Sequence, residues 1–470
     1  MNDPPRKTYR PWNPEAYRQQ AHTPLAKLPQ GDLVFFLLDV VPQLDLTRFY
    51  APYEAETRGA PPFDPALMVC LLLYAYAVGV YSSRKIAAAC ERNLAFLAIV
   101  GADRPDFRTV SDFRKLHLEA FADTFTQVLR LAREAGLLQL GALATDGSKL
   151  AGNASRHKAM SYAYMSKEVE RLRAEIDALL RHAQEHDAAE EAVLGSRRGD
   201  ELPAELQRRE DRLAAIQAAK QRLEAQARAE AEAERQRRAE AEAERQRRGQ
   251  KRRGREPGPI DETPDAKAQS NFTDPELKIM KTNNKGWDYC GNAQVVVDDV
   301  CQIIVACDVT AASNDKEQAV PLAQAALANL ERAGIARPTD PAGRPVPIAN
   351  LTDSGYYSAE AARQLAELGL EPYMATARQR HHPLPGAAGT AAPATAQEAM
   401  AAKLRTAVGR ALYALRKVIV EPVFGQIKGA RGFRRFLLRG LHKVRGEWRL
   451  VCLTHNLLKL WRYRCAPTGN

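Results

Sequence analysis

Between Pro65 and Ser83 the chain runs PALMVCLLLYAYAVGVYSS, 19 residues without a charge. Such a run ends up either in a bilayer or at the centre of a core. A membrane span takes ~20 predominantly apolar residues. This run sits at that limit and carries Gly79, three tyrosines and two serines, and no other segment resembles it. It reads as a core helix, so the chain is not a membrane protein. Shorter helical patterns surround it, from LVFFLLDVVPQLDLTRFY to DFRTVSDFRKLHLEAFADTFTQVLRLAREAGLL. In the latter Phe113, Leu116, Phe121, Phe125, Val128 and Leu131 recur at helical spacing.

The remaining chain changes texture several times. Residues 1–30, rich in proline and charge, read as a flexible arm, and 31–136 as an all-α domain. Short helices with polar turns suit a helix-turn-helix reader of DNA ends, and equally a packing or dimerisation domain. Residues 137–165 open an α/β core with a strand carrying Asp146. Residues 166–270 interrupt it. Val169, Leu172, Ile176, Leu179 and Ala183 follow a heptad, GSRRGDELP turns the chain, and Leu206, Leu213, Ile216 and Leu223 continue. This predicts an antiparallel coiled-coil hairpin. The decapeptide RAEAEAERQR then occurs twice, at 228–237 and 238–247, and reads as a solvated helix or disorder. Residues 271–470 resume the core: a strand hairpin, a helix from Asn314, a strand ending at Asp353, a helix, a further strand, a loop and basic helices.

Charge is unevenly placed. The net charge is +11, yet residues 401–470 alone hold 16 Lys and Arg against 2 Asp and Glu, leaving the preceding residues net negative. A positive field confined to one segment points to a polyanion. The seven cysteines form no C-x-x-C pair and read as reduced core residues of a cytoplasmic protein. The N-terminus has no apolar signal core. His157 and the His381–His382 pair sit among basic or loop residues and read as surface positions.

Three acids remain as candidates for chemistry. Asp146 and Asp353 each end a short apolar run beside small residues, and Glu421 is the single acid of KVIVEPVFGQIKGARGFRR. Lys428 follows it by seven residues, two helical turns on the same face. Phosphodiester transfer uses two metal ions roughly 3.5–4 Å apart. Mg²⁺ takes oxygen ligands, so carboxylates from separate elements are the donors it requires. Pro422 disfavours helical geometry at Glu421, which places that acid at a kink or a helix start.

The stretches DGSKLAGNASRHKAMSYAYM, GWDYCGNAQVVVD, NLTDSGYYS and VEPVFGQIKGARGFRRFLLRG resemble those of bacterial insertion-sequence transposases of the DDE class. The block FDPALMVCLLLYAYAVGVYSSRKIAAAC through FRTVSDFRKLH resembles the helical domain preceding their catalytic core. The resemblance covers nearly everything but the Ala-Glu-Arg repeat. It implies an RNase H-like mixed sheet flanked by helices, with Asp146, Asp353 and Glu421 as catalytic metal ligands. It implies Mg²⁺ as cofactor with Mn²⁺ substituting, double-stranded DNA ends and target as substrates, and a homodimer in the DNA complex. In the related spacing Y-x2-R-x3-E-x6-K, Glu421 and Lys428 fit. Tyr413 and Arg416 fit each other, with Arg416 one position early and Lys417 in the expected place. Lys428, Arg416, Lys417, Arg431, Arg434 and Arg435 would contact DNA, while Phe433 and Phe436 read as core. The rival readings are an inactive or domesticated DNA-binding protein, and a structural coiled coil that would leave the strands and their acids unexplained.

Overall fold

The computed structural model describes residues 8–15, 23–54, 59–194, 204–247, 249, 258–282, 286–377 and 395–465, with backbone only at 182–194 and 204–206. The His381–His382 pair lies outside the described residues, as does most of the turn between the two heptad stretches. Two compact units emerge. One joins Met1–Gly152, Thr282–Asn284 and Cys290–Asn470, and the other joins Asn153–Lys281 and Lys285–Tyr289.

The first unit opens with seven helices: α1 Leu33–Val40, α2 Thr47–Glu54, α3 Pro65–Ala77, α4 Ser83–Arg92, α5 Leu94–Val100, α6 Phe107–Leu116 and α7 Leu118–Glu134. The uncharged run is α3. Asp64 caps it by accepting from the Ala66 N–H, and Pro65 occupies the first turn, where its missing N–H costs nothing. All of α3 except Ala66 is buried, as a helix apolar on every side must be. Among the described residues no helix is long and apolar enough to cross a membrane. The helix stops at Gly79, whose φ of +83° suits glycine. A Cβ there would stand 2.6 Å from the Arg431 carbonyl oxygen. The helical region is therefore not a separate body. Its buried residues belong to one continuous core with the sheet that follows.

That sheet begins with β1 Ala142–Ala151. The chain then builds the second unit from β2 Ala159–Ser161, α8 Tyr162–Leu194, α9 Ala204–Arg247, β3 Gln269–Asn271 and β4 Lys278–Lys281. Helices α8 and α9 pack antiparallel around Met165, Val169, Leu172, Ile216 and Ala219. Glu168 pairs with Arg212 at 2.8 Å and Glu175 with Arg209 at 3.1 Å. The decapeptide repeat is helical, laced by pairs such as Arg238–Glu234 at 2.8 Å. It is not wholly solvated, because Ala231 is buried and Arg238 donates to the Gly258 carbonyl.

The chain resumes the sheet with β5 Trp287–Asp298 and β6 Ile304–Thr310, the expected hairpin. Helix α10 Ala319–Arg332, strand β7 Ile348–Thr352, helix α11 Ala359–Glu367 and strand β8 Leu370–Met374 follow. The order is β6–β5–β1–β7–β8, with the first two junctions antiparallel and the last two parallel. Strand β7 is buried throughout, as expected for a parallel strand covered on both faces. Helices α12 Ala396–Arg405, α13 Ala407–Gly425 and α14 Leu441–Cys465 complete the unit. Helix α13 lies over β1, β7 and β8, while α14 packs between β6, α3 and α7. All seven cysteines are free, and Cys70, Cys90, Cys290 and Cys452 are buried.

Candidate active site

Register places the first two acids. Strands β1 and β7 are parallel neighbours, with Thr145 opposite Thr352. Asp146 and Asp353 are the next residues on each, so they stand side by side, Asp353 just past the end of β7 and Asp146 still within β1, opposite Val295 of β5. In β1 burial changes at this point: Ala142–Thr145 are buried and Asp146–Lys149 half-buried. Small neighbours serve both acids, although β1 does not end at Gly147 as expected but runs on to Ala151. A Cβ at Gly147 would collide with the Gln294 amide, and the Gly355 N–H donates to Asp353 Oδ1 at 2.8 Å.

A third aspartate stands with them. Asp315, in the loop between β6 and α10, accepts from Asn292 Nδ2 at 2.7 Å and Gln294 Nε2 at 2.6 Å. Burial, reinforced by Asp353 and Asp315, raises the Asp146 carboxyl to about 6, against the lowering pull of the Gly147 N–H and Arg416. The Tyr356 hydroxyl, bonded to Gln294 Oε1, is pushed well above its ordinary value by burial, with Asp315, Asp146 and Asp353 adding to it. Asp315, Asn292, Gln294 and Tyr356 were not among the sequence candidates. The available signal was Asn292 and Gln294, two polar residues at alternate positions in the run CGNAQVVV of this strand.

Helix α13 supplies cations. Arg416 Nη1 pairs with Asp146 Oδ2 at 3.3 Å, and its side chain is only 11% exposed. It lies over Tyr413, whose hydroxyl burial raises. Thus Arg416, not Lys417, reaches the acids; Lys417 is exposed. Lys428 donates to Ser148 Oγ at 2.7 Å, and burial together with Arg434 lowers its pKa.

Glu421 shares no hydrogen bond with these acids among the described residues. It is exposed on α13 and makes no hydrogen bond or ion pair among the described residues. No three acids, histidines or cysteines among those residues stand close enough to hold a metal ion. The two-turn relation of Glu421 to Lys428 fails because Gln426–Ala430 form a π-turn, which breaks the 3.6-residue period. Pro422 lies inside α13, so Glu421 is neither at a helix start nor at its end.

The basic segment divides. Arg434 and Arg435 are exposed. Arg431, expected on DNA, is buried instead. It donates to the Val451 carbonyl at 3.0 Å, the Tyr76 carbonyl at 2.9 Å and Thr454 Oγ1 at 2.5 Å. Phe433, Phe436 and Trp448 are core residues around it.

Whether these residues suit a divalent cation rests on their donors. Asp146, Asp353 and Asp315 offer hard carboxylate oxygens, and close like charges call for a counter-cation, a part Arg416 plays at Asp146. The chemistry of these donors suits such an ion, although among the described residues they do not form a three-ligand cluster.

Two family models match the chain. Residues 22–116 match "Transposase domain (DUF772)", which spans α1 to α6. Residues 388–461 match "Transposase DDE domain", which spans α12, α13 and most of α14. No curated protein and no solved structure matches. The matched segments flank the sheet that carries the acids, and they support an insertion-sequence DDE transposase.

Proposed function

We propose that this transposase binds the inverted-repeat ends of its element as double-stranded DNA, cuts them and joins the freed 3′-OH to target DNA, on an RNase H-like sheet. The convergence of Asp146 and Asp353 on adjacent parallel strands carries the reading. These two would hold Mg²⁺, or Mn²⁺ in its place, with Glu421 completing the set as the family resemblance implies. A bound ion supplies an activated water and charge neutralisation for in-line displacement. Lys428 and the exposed Arg434 and Arg435 fix the phosphate backbone, and Arg416 holds the Asp146 carboxylate in position.

End recognition falls to the helical region. Helix α6 exposes Phe107, Arg108, Asp112 and Lys115, and α4 exposes Arg84 and Lys85. The guanidinium groups of Arg84 and Arg108 lie 5.2 and 5.6 Å from the Phe107 ring centroid. This surface suits major-groove reading. Joining two ends requires two copies at the moment of reaction, hence a homodimer on DNA.

The test uses purified protein, Mg²⁺ and a fragment carrying the gene with its flanks. The expected result is paired cuts at inverted repeats that vanish with Asp353→Asn. Binding without cutting would favour an inactive, DNA-binding copy. Equal cutting by Asp353→Asn would refute the assignment.

A further inference from the structure

Three buried polar side chains, Arg114 of α6, Tyr76 of α3 and Glu447 of α14, have no part in the chemistry proposed above. Arg114 Nη1 donates to Tyr76 Oη at 2.9 Å, and Tyr76 Oη donates to Glu447 Oε1 at 3.4 Å. The phenol thus stands between opposite charges. Glu447 Oε2 accepts from the Leu437 and Leu438 N–H groups at 2.9 and 3.1 Å. Burying two charges is a poor route to stability, since apolar residues of similar volume do as well or better. What such a pair can supply is one fixed arrangement.

The part it fixes is the stretch from Arg431 to Leu438. Arg431 pins the start on the Val451 and Tyr76 carbonyls, and Tyr81 Oη donates to the Arg431 carbonyl at 2.9 Å. In the middle the Phe436 N–H donates to the carbonyl of Ala151, the last residue of β1, at 2.8 Å. Glu447 pins the far end. Exposed Arg434 and Arg435 lie between these pins, and Arg434 Nε donates to the Lys428 carbonyl at 3.0 Å. The same chain of bonds runs back to the helices given to end recognition. Arg114 belongs to α6, and its Nη2 meets Ser83 Oγ, at the start of α4, at 3.3 Å. Phosphate contacts set the register of a protein on a duplex, so the backbone that carries them has to be held.

We propose that Glu447 is a positioning residue for DNA binding. By holding the Leu437 and Leu438 N–H groups it sets Arg434 and Arg435 on the phosphate backbone, while Tyr76 and Arg114 hold its carboxylate. This rests on the reading that Arg434 and Arg435 meet phosphates.

The experiment follows binding of the full chain to a duplex from the gene's flank by fluorescence anisotropy over a range of salt. Thermal melting serves as the fold control. Glu447→Ala is expected to make log affinity against log salt shallower by about 1–2, each phosphate contact being worth about 0.9. Removing a negative charge by itself favours DNA, so a shallower slope has to come from the arginines. Combined with Arg434→Gln and Arg435→Gln, Glu447→Ala is expected to add nothing further. A purely structural role lowers the melting temperature and leaves the slope as it was. A native slope in folded Glu447→Ala, or a loss that persists in the double Gln background, overturns the positioning role and leaves the DNA surface standing. A native slope in the double Gln variant itself overturns both. If Glu447→Ala does not fold, Glu447→Asp is measured, since it keeps the charge and draws the carboxylate back by one methylene. A slope shallower by about 1 then supports the role, and a native slope sinks it.

Discussion

His117 shows what a single buried side chain does to this protein's response to acid. It closes α6, is 2% exposed, and packs its ring 4.2 Å from Phe113 and 5.2 Å from Phe49, with Tyr53 Oη 3.2 Å from Nε2. Burial lowers its pKa to about 4. The unfolded chain takes up that proton near 6.5. Below 6.5 the unfolded state therefore binds the extra proton first, and stability drains away as the pH falls from 6.5 to 4. The loss is on the order of 3 kcal/mol. Melting followed across that range should fall steeply for the native chain and less for His117→Gln; parallel curves would refute the attribution. Residues of this kind were poorly legible in the sequence. Nothing local distinguishes buried Arg431 from exposed Arg434, because the difference lies in carbonyls contributed by α3 and α14. That Asp146 and Asp353 follow apolar strand segments was legible, since each comes after a short apolar run and beside a small residue.

Helix α13 keeps its course through Pro422, and the reason lies in another element. Proline has no N–H, so the carbonyl four residues earlier loses its helical donor. That carbonyl belongs to Val418, and Gln302 Nε2 donates to it at 2.9 Å. Gln302 sits in the β5–β6 turn at φ +60°. It also receives Lys459 Nζ at 2.8 Å on Oε1, while its own carbonyl meets His455 Nε2 at 3.1 Å. Gln302→Ala should therefore cost about 0.5–1.5 kcal/mol, the net worth of one hydrogen bond, because this bond is exposed and water can take its place. Denaturant unfolding checks it; a change under ~0.5 kcal/mol, the ordinary surface value, would show the repair is unimportant. This explains why a kink expected from Pro422 does not break the helix. Local propensity was read correctly, but the distant donor was not visible. The π-turn that brings Lys428 to Ser148 was equally hidden, since GQIKGA has no local feature demanding it.

Over the whole molecule, charge and core are both shared between distant parts of the chain. The basic C-terminal segment is partly core, so its net charge overstates the DNA surface. If Arg434 and Arg435 each meet one phosphate, replacing both with Gln should reduce the slope of log affinity against log salt by roughly 2. Fluorescence anisotropy on a DNA duplex checks this, and an unchanged slope would move the surface elsewhere. The texture of the fold, helices first and then a mixed sheet with a helical interruption, was legible from periodicity. That the early helices and the late ones share one core was not, since pairings across hundreds of residues leave no periodic trace. The burial of α3 has a consequence for biosynthesis. Tyr76 meets Arg431 and Glu447, and Trp461 Nε1 donates to the Gly31 carbonyl at 2.9 Å. Arg431 and Glu447 are made 354 and 370 residues after Ala77 (431 − 77 and 447 − 77). At ribosomal rates this leaves the side of α3 that faces α14 without its partner for roughly 20–80 s. A chain whose synthesis stops before Arg431 has only the early helices to pack on α3 and leaves the side facing α14 without its cover.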